Sequence, residues 1–106
     1  MKNWYNNTYT VIKERGEFML TIYAVSDSIG ETAEQVAQAA ASQFDDEVEV
    51  RRVPYIKTLE DVEELIKEIR EIKNVMVVST IITVNVREYL TEKGVENNIW
   101  EVNVLG

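Results

Sequence analysis

The chain has 106 residues, of which 45% are apolar and 28% charged, and a formal net charge of −8 at pH 7. This length and balance indicate one ordinary globular domain, while the acidity disfavours binding to nucleic acids and to anionic lipid. Because cysteine and histidine are both absent, cysteine phosphatase, Ser-His-Asp hydrolase and structural zinc chemistry are excluded within the chain.

Residues 1–17 mix polar, charged and aromatic side chains without a sustained period, which indicates an N-terminal arm or extension. They lack the apolar block of a signal peptide, and no run in the chain approaches the ~20 apolar residues of a membrane span. We therefore expect a cytoplasmic protein that does not bind membranes, with one domain over residues 18–106.

Four later segments have the composition of β-strands. Nearly continuous apolar runs at residues 18–25 and 74–82 are typical of strands that are buried on both faces of a sheet. Residues 48–56 alternate apolar and charged side chains before Pro54 disturbs the pattern, which indicates a strand near a sheet edge. Residues 99–105 predict a fourth strand.

Between these strands, apolar residues recur at helical spacing over residues 29–44, 58–72 and 86–93. The second helix begins with a Thr-x-x-Asp cap at 58–61, and the third is predicted to end at Gly94. Strands that alternate with helices imply right-handed parallel crossovers. We predict an α/β fold with an open parallel sheet of about four strands and helices on its faces, Rossmann-like or flavodoxin-like. Since the sequence stops directly after a strand, we also expect a fragment of a larger chain.

Two loops are candidate binding sites, because ligands of open parallel sheets bind at the carboxyl ends of the strands. The first loop follows the first strand and opens the first helix, where hydroxyl groups and free backbone amides can hold an anion or contact another domain. Its candidate residues are Ser26, Asp27, Ser28, Gly30, Glu31 and Thr32. The second loop supplies weaker candidates, Ser79 and Thr80, at the end of the third strand.

Simpler structural roles compete with ligand binding at both loops. Ser28-x-x-Glu31 has the form of a capping box, and Asp27 is also a preferred N-cap residue, so we expect this turn first of all to cap its helix. The hydroxyl groups of Ser79 and Thr80 are expected to bond nearby backbone.

The sequence contains neither G-x-x-x-x-G-K-[ST] nor G-x-G-x-x-G, the two glycine-rich motifs that bind nucleotide phosphates. The acidic side chains between residues 60 and 68 lie along one predicted helix face, a spacing that rarely converges on a metal ion. We therefore assign no catalytic residue, no metal site and no cofactor to this chain. Trp100 is expected to be a packing residue.

The segment from the first strand into the first helix resembles the start of the regulatory proteins of pyruvate, phosphate dikinase and phosphoenolpyruvate synthase. The specific part is Ser-Asp-Ser-x-Gly-Glu-Thr-Ala-Glu at residues 26–34. Looser similarity continues through residues 55–56, 79–81 and 102–106. The resemblance implies a bifunctional regulator, which is a serine/threonine kinase with ADP as phosphoryl donor and a phosphate-dependent phosphorylase that releases pyrophosphate.

In that family the nucleotide-binding P-loop belongs to a region C-terminal to this sequence. The resemblance therefore implies an N-terminal domain that is inactive alone, with a missing C-terminal domain and the dikinase or synthase as partners, and with ADP and phosphate as ligands of the full-length protein. Two alternatives remain open from the residues. One is a stand-alone anion- or phosphate-binding module, and the other is a small interaction protein that self-associates through its last strand or its N-terminal arm.

Overall fold

A computed structural model describes residues 20–44 and 47–105, so the predicted arm at residues 1–17 lies outside the described part of the chain. Strands and helices alternate in the predicted order. They are β1 (Leu20–Ser26), α1 (Glu31–Ala41), β2 (Val48–Val53), α2 (Leu59–Ile69), β3 (Val75–Thr80), α3 (Val84–Glu96) and β4 (Trp100–Asn103). All three strand pairs are parallel, and the order across the sheet is β2-β1-β3-β4. The predicted open parallel α/β sheet is confirmed, and its order is the flavodoxin-like one of the two predicted architectures.

Helices cover the two faces of the sheet unequally. Small side chains at Ala33 and Ala37 let α1 pack closely over Ile22 and Ala24 of β1. The opposite face carries α2 and α3 on a larger aliphatic core, which includes Val25, Val62, Leu65, Ile66, Ile69, Val77, Val86 and Leu90. Because both faces of β1 and β3 are packed, their sequences are continuously apolar, as parallel central strands require.

The edge strands differ from this pattern. β2 lies at one edge of the sheet and ends just before Pro54, which confirms that prediction. At the other edge, Trp100 pairs with Met76 and Val102 with Val78, so both β4 side chains lie on the α1 face. The predicted packing role of Trp100 is wrong, because its side chain is 65% exposed. The reason is that α1 packs over β1, β2 and β3 and leaves β4 uncovered.

The N-terminal cap of α2 is the predicted one, and that of α1 is not. Asp61 N donates to Thr58 Oγ1 and Thr58 N donates to Asp61 Oδ2, each at 3.0 Å, which completes a capping box. At α1 the predicted Ser28–Glu31 box is wrong. The N-cap residue is Gly30 in a left-handed conformation (φ 89°), and no side chain caps the helix, because the loop turns two residues after Ser28.

The C-terminal end of α3 also differs from the prediction. The helix continues through Gly94 to Glu96, and the positive φ (56°) belongs to Asn98. Gly94 lies inside the helix where the returning chain is close, since Ile99 N donates to Gly94 O at 2.8 Å. No helix in the described residues is long and apolar enough to cross a bilayer.

Candidate functional site

The strand order creates a crevice at the carboxyl ends of β1 and β3. The chain leaves β1 towards β2 on one side and leaves β3 towards β4 on the other, and such a switch point is where open α/β sheets bind ligands. A cavity of about 270 Å³ lies there. Its lining residues are Ser26, Asp27, Ser28, Ile29, Glu31, Thr32, Thr80, Ile82 and Leu105. The structure therefore brings five of the six candidate residues of the first loop, all except Gly30, together with Thr80 from the second.

The backbone of the β1–α1 loop is held from one side by the segment around the end of β2. Three loop carbonyl groups accept hydrogen bonds from this segment: Ser26 O from Ile56 N at 2.9 Å, Ser28 O from Tyr55 N at 2.9 Å, and Ile29 O from Arg52 Nη1 at 3.2 Å. Tyr55 itself has a positive φ of 58°, a conformation that is uncommon for residues other than glycine. Neither Arg52 nor Tyr55 was a sequence candidate, because nothing local to residues 26–32 indicates their contacts.

Gly30 sits at the point where this loop meets Arg52. A Cβ atom at Gly30 would lie 3.1 Å from Arg52 Cγ and 3.2 Å from Cδ. The Arg52 guanidinium also forms an ion pair with Glu34, with Nε donating to Oε1 at 2.8 Å. Glycine is needed here for two reasons, since it permits the left-handed conformation and leaves space for the arginine stem.

The loop lines the cavity with hydroxyl-bearing residues, and the helix that follows begins with amides that are unpaired among the described residues. Ser26 Oγ accepts from Ser28 N at 3.0 Å and lies 3.1 Å from Ser28 Oγ. The first amide that bonds into the helix is that of Glu34, which donates to Gly30 O at 3.0 Å. The preceding helical amides have no acceptor among the described residues; they are those of Glu31, Thr32 and Ala33. Such unpaired amides carry the partial positive charge of a helix N-terminus.

Asp27 bonds the residues that lead into a helix, but not into the helix that follows it in sequence. Its Oδ2 accepts from Ile82 N at 2.9 Å, from Thr83 N at 3.2 Å and from Thr83 Oγ1 at 3.4 Å. Thr83 is the N-cap residue of α3, and its own side chain makes no cap bond. The carboxylate of Asp27 therefore ties the β1–α1 loop to the start of α3, and its charge lies against that helix N-terminus.

The two hydroxyl residues that end β3 face opposite sides of the sheet. Thr80 is the register partner of Ser26, is only 8% exposed, and lines the cavity. Ser79 donates to Glu101 Oε2 at 2.7 Å, and Thr91 Oγ1 donates to Oε1 of the same carboxylate at 2.8 Å. Ser79 therefore bonds a side chain of β4 rather than backbone, and it does not line the cavity.

The side chains that line the cavity are hydroxyl groups, carboxylates and apolar groups. No lysine or arginine lines the cavity within the described residues, and phosphoryl transfer relies on such cations or on metal ions. In the same part of the chain, no three carboxylates converge as a metal site would need. The carboxylates in the lining are those of Asp27 and Glu31, and the apolar side chains of Ile29, Ile82 and Leu105 are exposed there.

Comparison with known proteins adds a family match. Residues 22–106 match the family described as kinase/pyrophosphorylase. Over 88 residues the chain is 70% identical to a Clostridium perfringens protein, 65% to one from Clostridium beijerinckii and 56% to one from Clostridium tetani. Each of the three bears the name pyruvate, phosphate dikinase regulatory protein. The matches cover 83% of this chain and 32–33% of the relatives, so the chain spans about one third of their length.

Proposed function

This chain belongs to the kinase/pyrophosphorylase family, and we propose that it forms the N-terminal α/β part of a cytoplasmic regulator of pyruvate, phosphate dikinase. The observation that carries the proposal is the 70% identity over 88 residues to a protein named as such a regulator.

The proposed activity consists of two separate reactions. In one, the terminal phosphoryl group of ADP passes to a hydroxyl group of the dikinase and AMP leaves; in the other, inorganic phosphate attacks that phosphoryl group, which leaves as pyrophosphate and restores the hydroxyl. Both reactions need a site that cradles nucleotide or pyrophosphate oxygens with cations. The described cavity is lined by no cation, so we propose that this chain is inactive alone and that the remaining two thirds of the regulator supply the nucleotide site.

The uncovered face of β4 supports a role within a larger protein. Strands of parallel sheets are normally buried on both faces. On the α1 face of β4, however, the side chains of Trp100 and Val102 are exposed, and Val104 is exposed directly after the strand. We propose that a segment from the other two thirds of the regulator packs against this surface and thereby positions the cavity next to the nucleotide site.

A chimera tests the proposed function. The segment of the C. perfringens relative that matches this chain would be replaced by residues 20–106, and the purified chimera would be mixed with dikinase and ADP, then with phosphate. We expect loss of dikinase activity with ADP and its recovery with phosphate, and neither effect from the 106-residue chain alone. A folded chimera that leaves the dikinase unaffected would contradict the regulator proposal, and phosphorylation by the chain alone would contradict its inactivity.

Two matched variants of the chimera test the role of the β4 surface. Trp100→Glu places a charge on the proposed interface and should lower both activities, while Val95→Glu places the same charge at a similarly exposed position on α3 and should not. Equal activities of the two variants would exclude the β4 surface as an internal interface. Sedimentation of the isolated chain would reveal the competing use of this edge, which is self-association.

A further inference from the structure

The exposed face of β4 and the nearer flank of α1 together form a groove along one side of the sheet. Trp100 and Val102 form its floor, and both side chains are exposed. We propose that one amphipathic α-helix from the remaining two thirds of the regulator lies in this groove, side by side with α1. The inference rests on the proposed function, which makes the chain part of a longer protein, and it adds the kind of element that covers β4 and its position.

The two faces of β4 differ in polarity. On the α3 side, the carboxylate of Glu101 accepts hydrogen bonds from Ser79 at 2.7 Å and from Thr91 of α3 at 2.8 Å. This face is therefore polar and already packed against a helix. On the α1 side, Trp100 and Val102 are apolar and exposed. Because the strands of a parallel sheet are normally buried on both faces, we expect the covering element on the α1 side.

The two flanks of α1 differ in the same way. The flank towards β2 carries Glu34 and Gln38, which line a surface hollow together with Arg52. Each residue turns an α-helix by about 100°, so residues two positions away lie on the opposite flank. These are Val36 and Ala40, which are half-buried against the core over β1 and β3. The flank towards β4 is thus uncharged, and the small side chain of Ala40 lets a neighbouring helix approach closely.

The spacing of the strands leaves room for one helix in the groove. Among the described strands, α1 packs over β1 and over its two neighbours, β2 and β3. Neighbouring strands lie about 4.8 Å apart, so β4, which is two steps from β1, lies about 10 Å away from it. The axes of packed helices are about 8–10 Å apart. A helix in contact with α1 would therefore lie directly over Trp100 and Val102.

The relatives are long enough to supply this helix. The chain spans about one third of their length, so most of each relative lies outside the matched segment. A second copy of the chain suits the groove less well, because two chains with a net charge of −8 repel each other. A helix of the same protein also avoids the entropic cost of association between two molecules. Its contact stripe should be apolar at helical spacing, to match the uncharged floor and wall of the groove.

Photocrosslinking in the chimera tests the inference without any dikinase. The photoreactive residue p-benzoylphenylalanine would replace Trp100 or Val102, and in a control it would replace Val95, which is exposed on α3. After irradiation, mass spectrometry would identify the peptides that are joined to each probe. We expect both β4 probes to join one and the same segment of the C. perfringens part of the same molecule, and the probe at residue 95 not to join that segment.

The distance between the two crosslinked residues identifies the structure of the segment. Trp100 and Val102 lie two residues apart on a strand, about 7 Å, which corresponds to about four to five residues of an α-helix but about two residues of an extended chain. We expect the residues joined from the two probes to be about four apart. A spacing of about two, crosslinks mainly between two copies, the same crosslink from residue 95, or no crosslink from either β4 probe in a chimera with native circular dichroism would overturn the inference. The regulator proposal is judged by dikinase activity instead, so the two failures are distinguishable.

Discussion

Gly30→Ala should destabilise the fold by about 2 kcal/mol, and the structure divides this cost into two parts. The left-handed conformation (φ 89°) costs an alanine about 1–2 kcal/mol relative to glycine. The new Cβ would also lie 3.1 Å from Arg52 Cγ, so the arginine stem must move. That movement weakens the bonds of Arg52 to Ile29 O and Glu34, which as exposed contacts are worth about 0.5–1 kcal/mol together.

Gly94→Ala is the control, because we expect it to change the free energy of unfolding in the opposite direction or not at all. Gly94 lies inside α3, and its new Cβ would lie 3.4 Å from Ile99 O, which is ordinary contact. Alanine in a helix interior is favoured over glycine by about 0.5–1 kcal/mol. We therefore expect Gly94→Ala to be neutral or stabilising, although both positions hold glycine next to the end of a helix.

Urea denaturation followed by far-UV circular dichroism measures both changes. In an Arg52→Ala background the steric part should disappear, so that Gly30→Ala costs only the conformational part of about 1–2 kcal/mol. A Gly30→Ala cost below about 0.5 kcal/mol, within the range of ordinary surface substitutions, would refute the reasoning. A cost that is the same in both backgrounds would refute the contact with Arg52.

Three further predictions concern polar groups. The backbone amides of Lys57 and Thr58 donate to the Asp61 carboxylate and lower its pKa. The carboxylate therefore stabilises the fold above its ordinary pKa of about 3.9, and this stabilisation is lost as pH falls through the lowered folded-state pKa. Asp61→Asn should remove this acid-dependent part of the stability in urea denaturation across pH, and an unchanged pH profile would contradict the prediction. Burial raises the pKa of Tyr23, whose hydroxyl has no partner among the described residues. Tyr23→Phe should leave the free energy of unfolding unchanged or raise it by up to about 1 kcal/mol, and a lower free energy of unfolding would show that the hydroxyl is bonded. Asp27→Ala leaves the amides of Ile82 and Thr83, which lead into α3, without their acceptor and should cost about 2 kcal/mol of unfolding free energy, whereas an effect as small as that of Glu60→Ala would exclude a stabilising role for this contact.

The elements that could be predicted from the sequence are those whose signal is local. The continuous apolar runs of β1 and β3 and the apolar stripe of α2 follow from burial at fixed spacing, and the Thr58–Asp61 cap is complete within four residues. The order of the strands depends on which crossovers pack on which face. For that reason the sequence left Rossmann-like and flavodoxin-like arrangements open.

The two wrong predictions of helix ends involve contacts from outside the helix concerned. Ser28 does not cap α1, because the loop is shaped by contacts from Arg52 and Tyr55. Gly94 does not end α3, because Ile99 returns against its backbone. A glycine or serine at such a position has the right local chemistry for a cap, but the tertiary contact decides which residue takes the left-handed conformation.

The residues of the turn at 26–32 would be needed by this fold even without a ligand. Gly30 gives space to Arg52, and Asp27 holds the start of α3. A match to this turn therefore identifies the family without identifying a binding site.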